Sequence, residues 1–135
     1  KSAMKNTKIL EVYNLASLLL NNQSGIKFQV DTLPFMAQIS PIYSILSDDV
    51  NDDGFNDLIL GGNLSEIKPE FGPSKASYSS LFFGRKESKF EYVTSNESGI
   101  FIDGDLRDLV KIKINKKDSY IFALNNSKIK ILERE

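Results

Sequence analysis

The stretch SILSDDVNDDGFNDLILGG, residues 44–62, sets two short apolar segments on either side of an acid-rich loop. Residues 48–57, called the acidic loop below, contain five Asp, two Asn and no basic residue. The flanking segments 43–47 and 57–61 are short and rich in β-forming residues, which is typical of strands. The stretch therefore predicts two strands joined by a loop whose like charges repel one another unless something opposes them.

Within the acidic loop, oxygen-bearing side chains recur at alternate positions and are followed by Gly54. Side chains at positions 1, 3 and 5 converge on one point when a chain curls round a cation, and Gly at position 6 supplies the sharp turn. All-oxygen ligation with three carboxylates suits a hard cation, and a flexible loop suits calcium better than magnesium. One Ca²⁺ ion is predicted, with Asp49, Asn51, Asp53, the backbone carbonyl of Phe55 and Asp57 as ligands.

The acidic loop has two other interpretations. An EF-hand needs a Glu at position 12 and helices on both sides, whereas Leu60 occupies position 12 inside a strand-like run. A turn rich in Asp and Asn that binds nothing remains an alternative. Asp48 and Asp52 fall outside the ligand pattern and are predicted to face solvent.

The composition limits the possible function classes. The chain has 135 residues, enough for one small domain, and 17 basic against 18 acidic residues, which gives no reason to expect a nucleic-acid partner. It has no His and no Cys, which excludes Ser-His and Cys-His nucleophilic catalysis, the common zinc sites and disulfides. No apolar run is long enough to span a bilayer. The chain begins at Lys1 without a signal peptide, so a piece of a larger protein is expected. No enzyme active site is expected within these residues.

The remaining apolar segments are also short and bounded by turn residues, so an all-β fold is predicted. For residues 8–20, a helix is the alternative to two strands. The predicted strands are 8–13, 17–20, 26–30, 43–47, 57–61, 79–83, 89–93, 107–114, 119–124 and 128–132.

An internal repeat groups these strands as three, four and three. The segment at 17–30 resembles the one at 80–93. The segment at 43–63 is more weakly similar to 106–126, which lacks the calcium pattern. Within one domain over 1–135, the expected units are therefore a partial one at 8–30, a complete one at 43–93 and a partial one at 106–132. Residues 62–78, the long loop below, are either a functional loop or a surface insertion.

In its ordered motifs the chain resembles the FG-GAP/VCBS-repeat family, which includes the heads of integrin α-subunits and bacterial secreted or surface proteins. The motifs are LPFMAQISPIYSILSDDVNDDGFNDLILGGN, PEFG, ASY, SLFFG and SGIFIDGDLRDL. The resemblance implies a calcium-bearing β-propeller of about seven blades, of which this chain is a C-terminal portion. It implies the same five calcium ligands. The sequence departs from the family at 73–75, Pro-Ser-Lys, and at 85–88, Arg-Lys-Glu-Ser, where a glycine-rich turn is usual.

The expected function is a non-catalytic, calcium-binding module, extracellular or on the outer surface of a bacterial cell, for protein binding or surface assembly. Glu70, Phe71 and Tyr78 are predicted as partner contacts. The alternative is a carbohydrate-binding propeller module accessory to a larger polysaccharide-handling protein, with aromatic side chains as a stacking platform instead of core. Those aromatics are Tyr43, Phe71, Tyr78 and Phe83. A carboxylate–guanidinium cluster with a structural role is predicted from Asp103, Asp105, Arg107 and Asp108.

Overall fold

The computed structural model describes residues 7–134, which form an all-β fold of three antiparallel sheets, none of them closed. The first sheet pairs β1 (Leu18–Ser24) with β2 (Lys27–Thr32). The second sheet has the order β3 (Ile42–Asp48), β4 (Asp57–Gly62), β5 (Ser80–Arg85) and β6 (Lys89–Val93). The third sheet has the order β7 (Leu106–Ile114), β8 (Lys117–Leu124) and β9 (Lys130–Glu133). Helical structure in this range consists of α1 (Ser95–Ser98) and 3₁₀ turns at Phe35–Ala37 and Lys86–Ser88.

The predicted strand at residues 8–13 is wrong, and so is its helical alternative over 8–20. Residues 7–17 form neither a strand nor a helix, and 18–24 belong to β1. Ile9 and Leu10 are largely exposed, and within residues 7–134 β1 pairs only with β2. A strand is stable when its backbone groups are paired with a neighbour, and no described strand pairs with residues 8–13. The strand groups are therefore two, four and three instead of three, four and three.

The second sheet lies between two apolar clusters, one on each face. Successive side chains of a strand point to opposite faces, so Ile59 of β4 enters one cluster and Leu60 the other. On β5, Leu81 and Phe82 divide in the same way. Burial on both faces accounts for the nearly continuous apolar runs of these two strands. The cluster shared with the first sheet is the smaller, and the one shared with the third sheet contains the buried Phe122.

The predicted similarity between 43–63 and 106–126 is matched by a similarity between the two hairpins that these segments form. The β3–β4 and β7–β8 hairpins are both antiparallel, and each has a register shift near its first residues, between positions 42 and 44 and between 106 and 108. Each hairpin is followed by an Asn. The backbone N–H of this Asn donates a hydrogen bond to the backbone carbonyl of the residue just before the same hairpin. These bonds run from Asn63 to Pro41 at 3.2 Å and from Asn125 to Asp105 at 2.8 Å.

Candidate metal centre

The acidic loop connects β3 to β4 and is shaped by two residues with positive φ. Gly54 has φ 86° and Asp52 has φ 59°. A residue without Cβ adopts this left-handed conformation at no steric cost, and Asp tolerates it better than most others. The sharp turn predicted at Gly54 is therefore present.

Three predicted ligands fold the acidic loop through their side-chain oxygens. Asp49 accepts hydrogen bonds from the amides of Asp53 at 3.1 Å and Gly54 at 2.9 Å. Asn51 Oδ1 also accepts from the Asp53 amide, at 3.0 Å, and Asp53 Oδ1 accepts from the Phe55 amide at 2.9 Å. Such local bonds are the reason that Asp and Asn favour turns. They hold the three side chains on the concave side of the loop.

Asp57 anchors the loop from the first position of β4, where it is fully buried. Its Oδ2 accepts a hydrogen bond from the amide of Val50 at 2.9 Å, and its Oδ1 accepts one from the amide of Gly84 at 2.8 Å. Burial raises the pKa of this carboxyl, the two N–H bonds oppose the rise, and the nearby charges of Asp53 and Asp49 add to it. A cation next to Asp57 would favour its ionised form.

Phe55 and Arg85 complete the surroundings of the loop. The Phe55 side chain is partly exposed, and the ligand role of its carbonyl stays a prediction. Arg85, at the end of β5, forms an ion pair with Asp53 at 3.2 Å and another with Glu91 at 2.9 Å. This Arg begins the segment that departs from the family pattern, and it supplies positive charge to one of the predicted ligands.

The residues of the loop match a hard cation in chemistry, although their side chains are not gathered into a compact cluster. Among residues 7–134, no group of three or more acidic side chains is arranged as a metal-binding cluster. Asp53 Oδ2 instead accepts hydrogen bonds from Asn51 Nδ2 at 3.0 Å and from Arg85 Nη1 at 3.2 Å. A carboxylate has about four lone-pair sites, so Asp49, Asp53 and Asp57 each retain capacity for a ligand bond beside the N–H bonds that orient them.

The two acids outside the ligand pattern behave differently from each other. Asp52 is exposed, as predicted, and its carboxylate pairs with Arg134. The prediction that Asp48 faces solvent is wrong, because its side chain is only 17% exposed and forms an ion pair with Lys111 at 2.8 Å. The sequence pattern around the loop carries no signal for this partner, which lies on the third sheet.

The partner contacts predicted in the long loop lie on its surface. Glu70 and Phe71 are exposed in a turn, with the Phe71 side chain 80% exposed. The ring of Tyr78 stacks on that of Phe101, with ring centroids 4.4 Å apart and an angle of 13° between the planes. The sequence did not single out Phe101, since its only signal was an aromatic side chain in a loop.

Tyr43 and Phe83, also part of the predicted stacking platform, make other contacts. Phe83 is partly buried against the larger apolar cluster, which agrees with the core interpretation. The Arg107 guanidinium lies over the Tyr43 ring, 4.4 Å from its centroid, and pairs with Asp105 at 3.3 Å. Of the four residues predicted to form a structural cluster, Asp105 and Arg107 make this ion pair.

The long loop is fastened at its base by the side chain of Asn63. Its Nδ2 donates hydrogen bonds to the carbonyls of Ser77 at 2.6 Å and Gly104 at 3.1 Å. Its Oδ1 accepts from the Ser77 amide at 3.1 Å and from the Ser40 hydroxyl at 2.7 Å. All the hydrogen-bonding capacity of this buried amide is used, so the two ends of the loop are held together.

Asp105 also holds the long loop, through hydrogen bonds to Ser65. Its carboxylate accepts hydrogen bonds from the amide of Ser65 at 2.9 Å and from the Ser65 hydroxyl at 2.5 Å. Burial alone would raise the pKa of Asp105, but these bonds and the charge of Arg107 outweigh it, so the pKa lies below its usual value.

Comparisons with protein-family models, with curated proteins and with solved structures find no match to this chain. Among residues 7–134, no helix has the length and apolar character that crossing a bilayer requires.

Proposed function

We propose that the acidic loop binds one calcium ion through Asp49, Asn51, Asp53, the carbonyl of Phe55 and Asp57. The observation that carries the proposal is the buried carboxylate of Asp57 at the base of a loop in which Asp49, Asn51 and Asp53 accept hydrogen bonds from the loop's own amides. Bound calcium supplies positive charge that offsets the repulsion among the three carboxylates. Calcium is favoured over magnesium because it accepts a mixed set of carboxylate, amide and carbonyl oxygens in irregular geometry.

Calcium at this position stabilises the fold where the ion is abundant. With a dissociation constant of about 10 μM and about 1 mM free calcium, binding adds roughly 2.7 kcal/mol to the free energy of unfolding. Such concentrations are typical outside cells, which supports an extracellular or outer-surface location in a bacterium.

The wider proposal is a non-catalytic module of an FG-GAP/VCBS-type β-propeller. The packing of the second sheet between the other two, and the matching shifts in the β3–β4 and β7–β8 hairpins, support a repeated blade-like unit. Further blades of a longer chain would cover the outer faces of the first and third sheets. The partner is a protein at the cell surface, contacted through Glu70, Phe71 and Tyr78.

Isothermal titration calorimetry tests the calcium site directly. We expect wild-type protein to bind one calcium ion and Asp53→Ala to lose measurable binding. Asp103→Ala, which removes an exposed carboxylate from a different loop, is the matched control and should bind as wild type. Wild-type protein without calcium binding, or unchanged binding in Asp53→Ala, would contradict the proposal.

The protein-binding role is tested with a candidate surface protein immobilised on a sensor. Binding should require calcium and should be lost in Phe71→Ala, because an exposed aromatic at the centre of a contact contributes a large share of the affinity. Equal binding by wild type and Phe71→Ala would place the interface elsewhere on the module.

Carbohydrate binding is the second candidate, and the exposed Tyr78–Phe101 pair favours it. Sugars stack on aromatic faces, and Phe101 is 60% exposed. Affinity electrophoresis through polysaccharide gels would show retardation of wild type that Phe101→Ala loses. Phe35→Ala removes an exposed aromatic, 78% exposed, from another surface and serves as control. Migration of wild type unaffected by any polysaccharide would exclude this role.

A further inference from the structure

One edge of the third sheet is open. Strand β9 pairs with β8 on one side, and no strand among residues 7–134 pairs with its other side. Leu132 of β9 packs against the larger apolar cluster, so its neighbour Ile131 points to the outer face of the sheet, where it is 48% exposed. An open edge presents a row of backbone N–H and C=O groups that another strand can bind.

Residues 8–13 have the composition of a strand and lie outside the three sheets. Their first four residues, Lys-Ile-Leu-Glu at 8–11, are identical to the whole of β9, Lys-Ile-Leu-Glu at 130–133. The side chains of Ile9, Leu10 and Val12 are 70%, 79% and 72% exposed. The same four residues therefore occur twice, once as the edge strand of a sheet and once in an exposed segment that no described strand pairs with.

Antiparallel pairing of these two segments sets apolar residues opposite apolar residues and each Lys opposite a Glu. Directly opposed residues share one face of a sheet, and apolar or oppositely charged pairs there stabilise the pairing. Parallel pairing in register would instead set Lys opposite Lys and Glu opposite Glu, which is destabilising. The opposed pairs of the antiparallel register are Lys8–Glu133, Ile9–Leu132, Leu10–Ile131, Glu11–Lys130 and Val12–Ile129.

We propose that residues 8–13 of one chain add as a fourth strand to the β9 edge of a second copy of the chain. Within one chain the two segments are not paired, so the second copy supplies the partner. Leu10 and Val12 then lie beside Ile131 and Ile129 on the outer face, and the third sheet has four strands, as the second sheet has. The inference goes beyond the proposed calcium and partner-binding roles and depends on neither.

Sedimentation equilibrium of the whole chain tests the proposal. The average mass of wild type should rise above the monomer value as concentration increases. Glu11→Lys and Lys130→Glu should each weaken association about fivefold or more, because each sets like charges opposite one another, and the double variant should restore it. Glu66→Lys reverses an exposed charge in the long loop and is the matched control.

Two results of this experiment would overturn the proposal. One is a wild type that stays monomeric at every concentration. The other is association of Glu11→Lys equal to that of wild type, which would assign the contact to another surface, such as the β9 edges of two copies.

Disulfide trapping tests the register and shows which chain supplies the strand. The chain has no Cys, so engineered thiols can pair only with each other. Under mild oxidation, a mixture of Leu10→Cys and Ile131→Cys chains should form a dimer with one chain of each kind, because opposed side chains lie within disulfide reach. A mixture of Ile26→Cys, at an exposed turn position, with Ile131→Cys is the control.

Equal cross-linking in the two mixtures would overturn the proposal. So would a disulfide that closes within single chains of a variant carrying both Leu10→Cys and Ile131→Cys while the mixture of single variants stays uncross-linked.

Discussion

The Oδ1 atom of Asp57 lies 2.8 Å from the backbone nitrogen of Gly84, which brings the acidic loop directly onto β5. The approach is possible because Gly84 has no side chain. A Cβ at this position would lie 2.2 Å from the carbonyl oxygen of Asn56, far inside van der Waals contact. Two strands of the second sheet therefore hold the loop: β4, which begins at Asp57, and β5, which contains Gly84. The position of the predicted calcium site depends on the pairing of these strands.

Asp57→Ala is predicted to destabilise the protein even when calcium is absent. The substitution leaves the buried amide of Gly84 and the partly buried amide of Val50 without acceptors, which costs about 2 kcal/mol in the free energy of unfolding. Urea denaturation in excess chelator measures the loss. Asp103→Ala, at an exposed position, should stay within about 0.5 kcal/mol of wild type. Equal stability of Asp57→Ala and wild type would mean that these two bonds contribute nothing.

Asn63→Gly is predicted to release the long loop. Asn63 has φ 76°, which Gly adopts without strain, so the substitution isolates the loss of the side-chain hydrogen bonds. Loss of bonds to Ser77, Gly104 and Ser40 should cost on the order of 3 kcal/mol and expose residues 62–78 to protease.

Limited proteolysis followed by mass spectrometry locates the cleavage in that variant. Asn21→Gly removes an Asn from the first sheet and is the control for general loosening. Cleavage of Asn63→Gly at the same rate as wild type would show that the loop is held by other contacts.

Asp105 is predicted to make the protein sensitive to acid. Its pKa is lowered in the folded state, so its ionised form adds stability above about pH 4, the ordinary value, and this stability is lost as the pH falls through the folded pKa. Asp105→Asn should be less stable than wild type by about 1–2 kcal/mol at pH 6, and the difference should shrink towards pH 3.

Urea titrations of calcium-free protein between pH 6 and pH 3 measure this difference. Asp103→Asn should follow wild type at each pH. A difference between Asp105→Asn and wild type that does not change with pH would show that the charge of Asp105 is unimportant and that only its shape matters.

Local patterns predicted most of the fold and the internal arrangement of the acidic loop. Short apolar segments, rich in β-forming residues and bounded by turn residues, located the strands of the second and third sheets, because these signals lie within each segment itself. The turn at Gly54 and the inward side chains of Asp49 and Asp53 follow from bonds within five residues. These features are local, so the sequence contains their signals.

Contacts between distant segments were not predictable in the same way. The partner of Asp48 is Lys111, on another sheet, and nothing in the spacing of acids indicates that pairing. Residues 8–13 have the composition of a strand, yet strand formation also requires a neighbouring edge, which composition does not report. Phe101 became visible only when the fold brought its ring against Tyr78.

Thermal unfolding of wild type and Asp53→Ala, each in calcium and in excess chelator, tests the central claim most directly. Calcium at about 1 mM should raise the wild-type Tm by roughly 10 °C, from the stabilisation expected for a site of about 10 μM affinity. The Tm of Asp53→Ala should be the same in both conditions. A wild-type Tm unchanged by chelator, or an equal calcium shift in both proteins, would contradict a calcium site in the acidic loop.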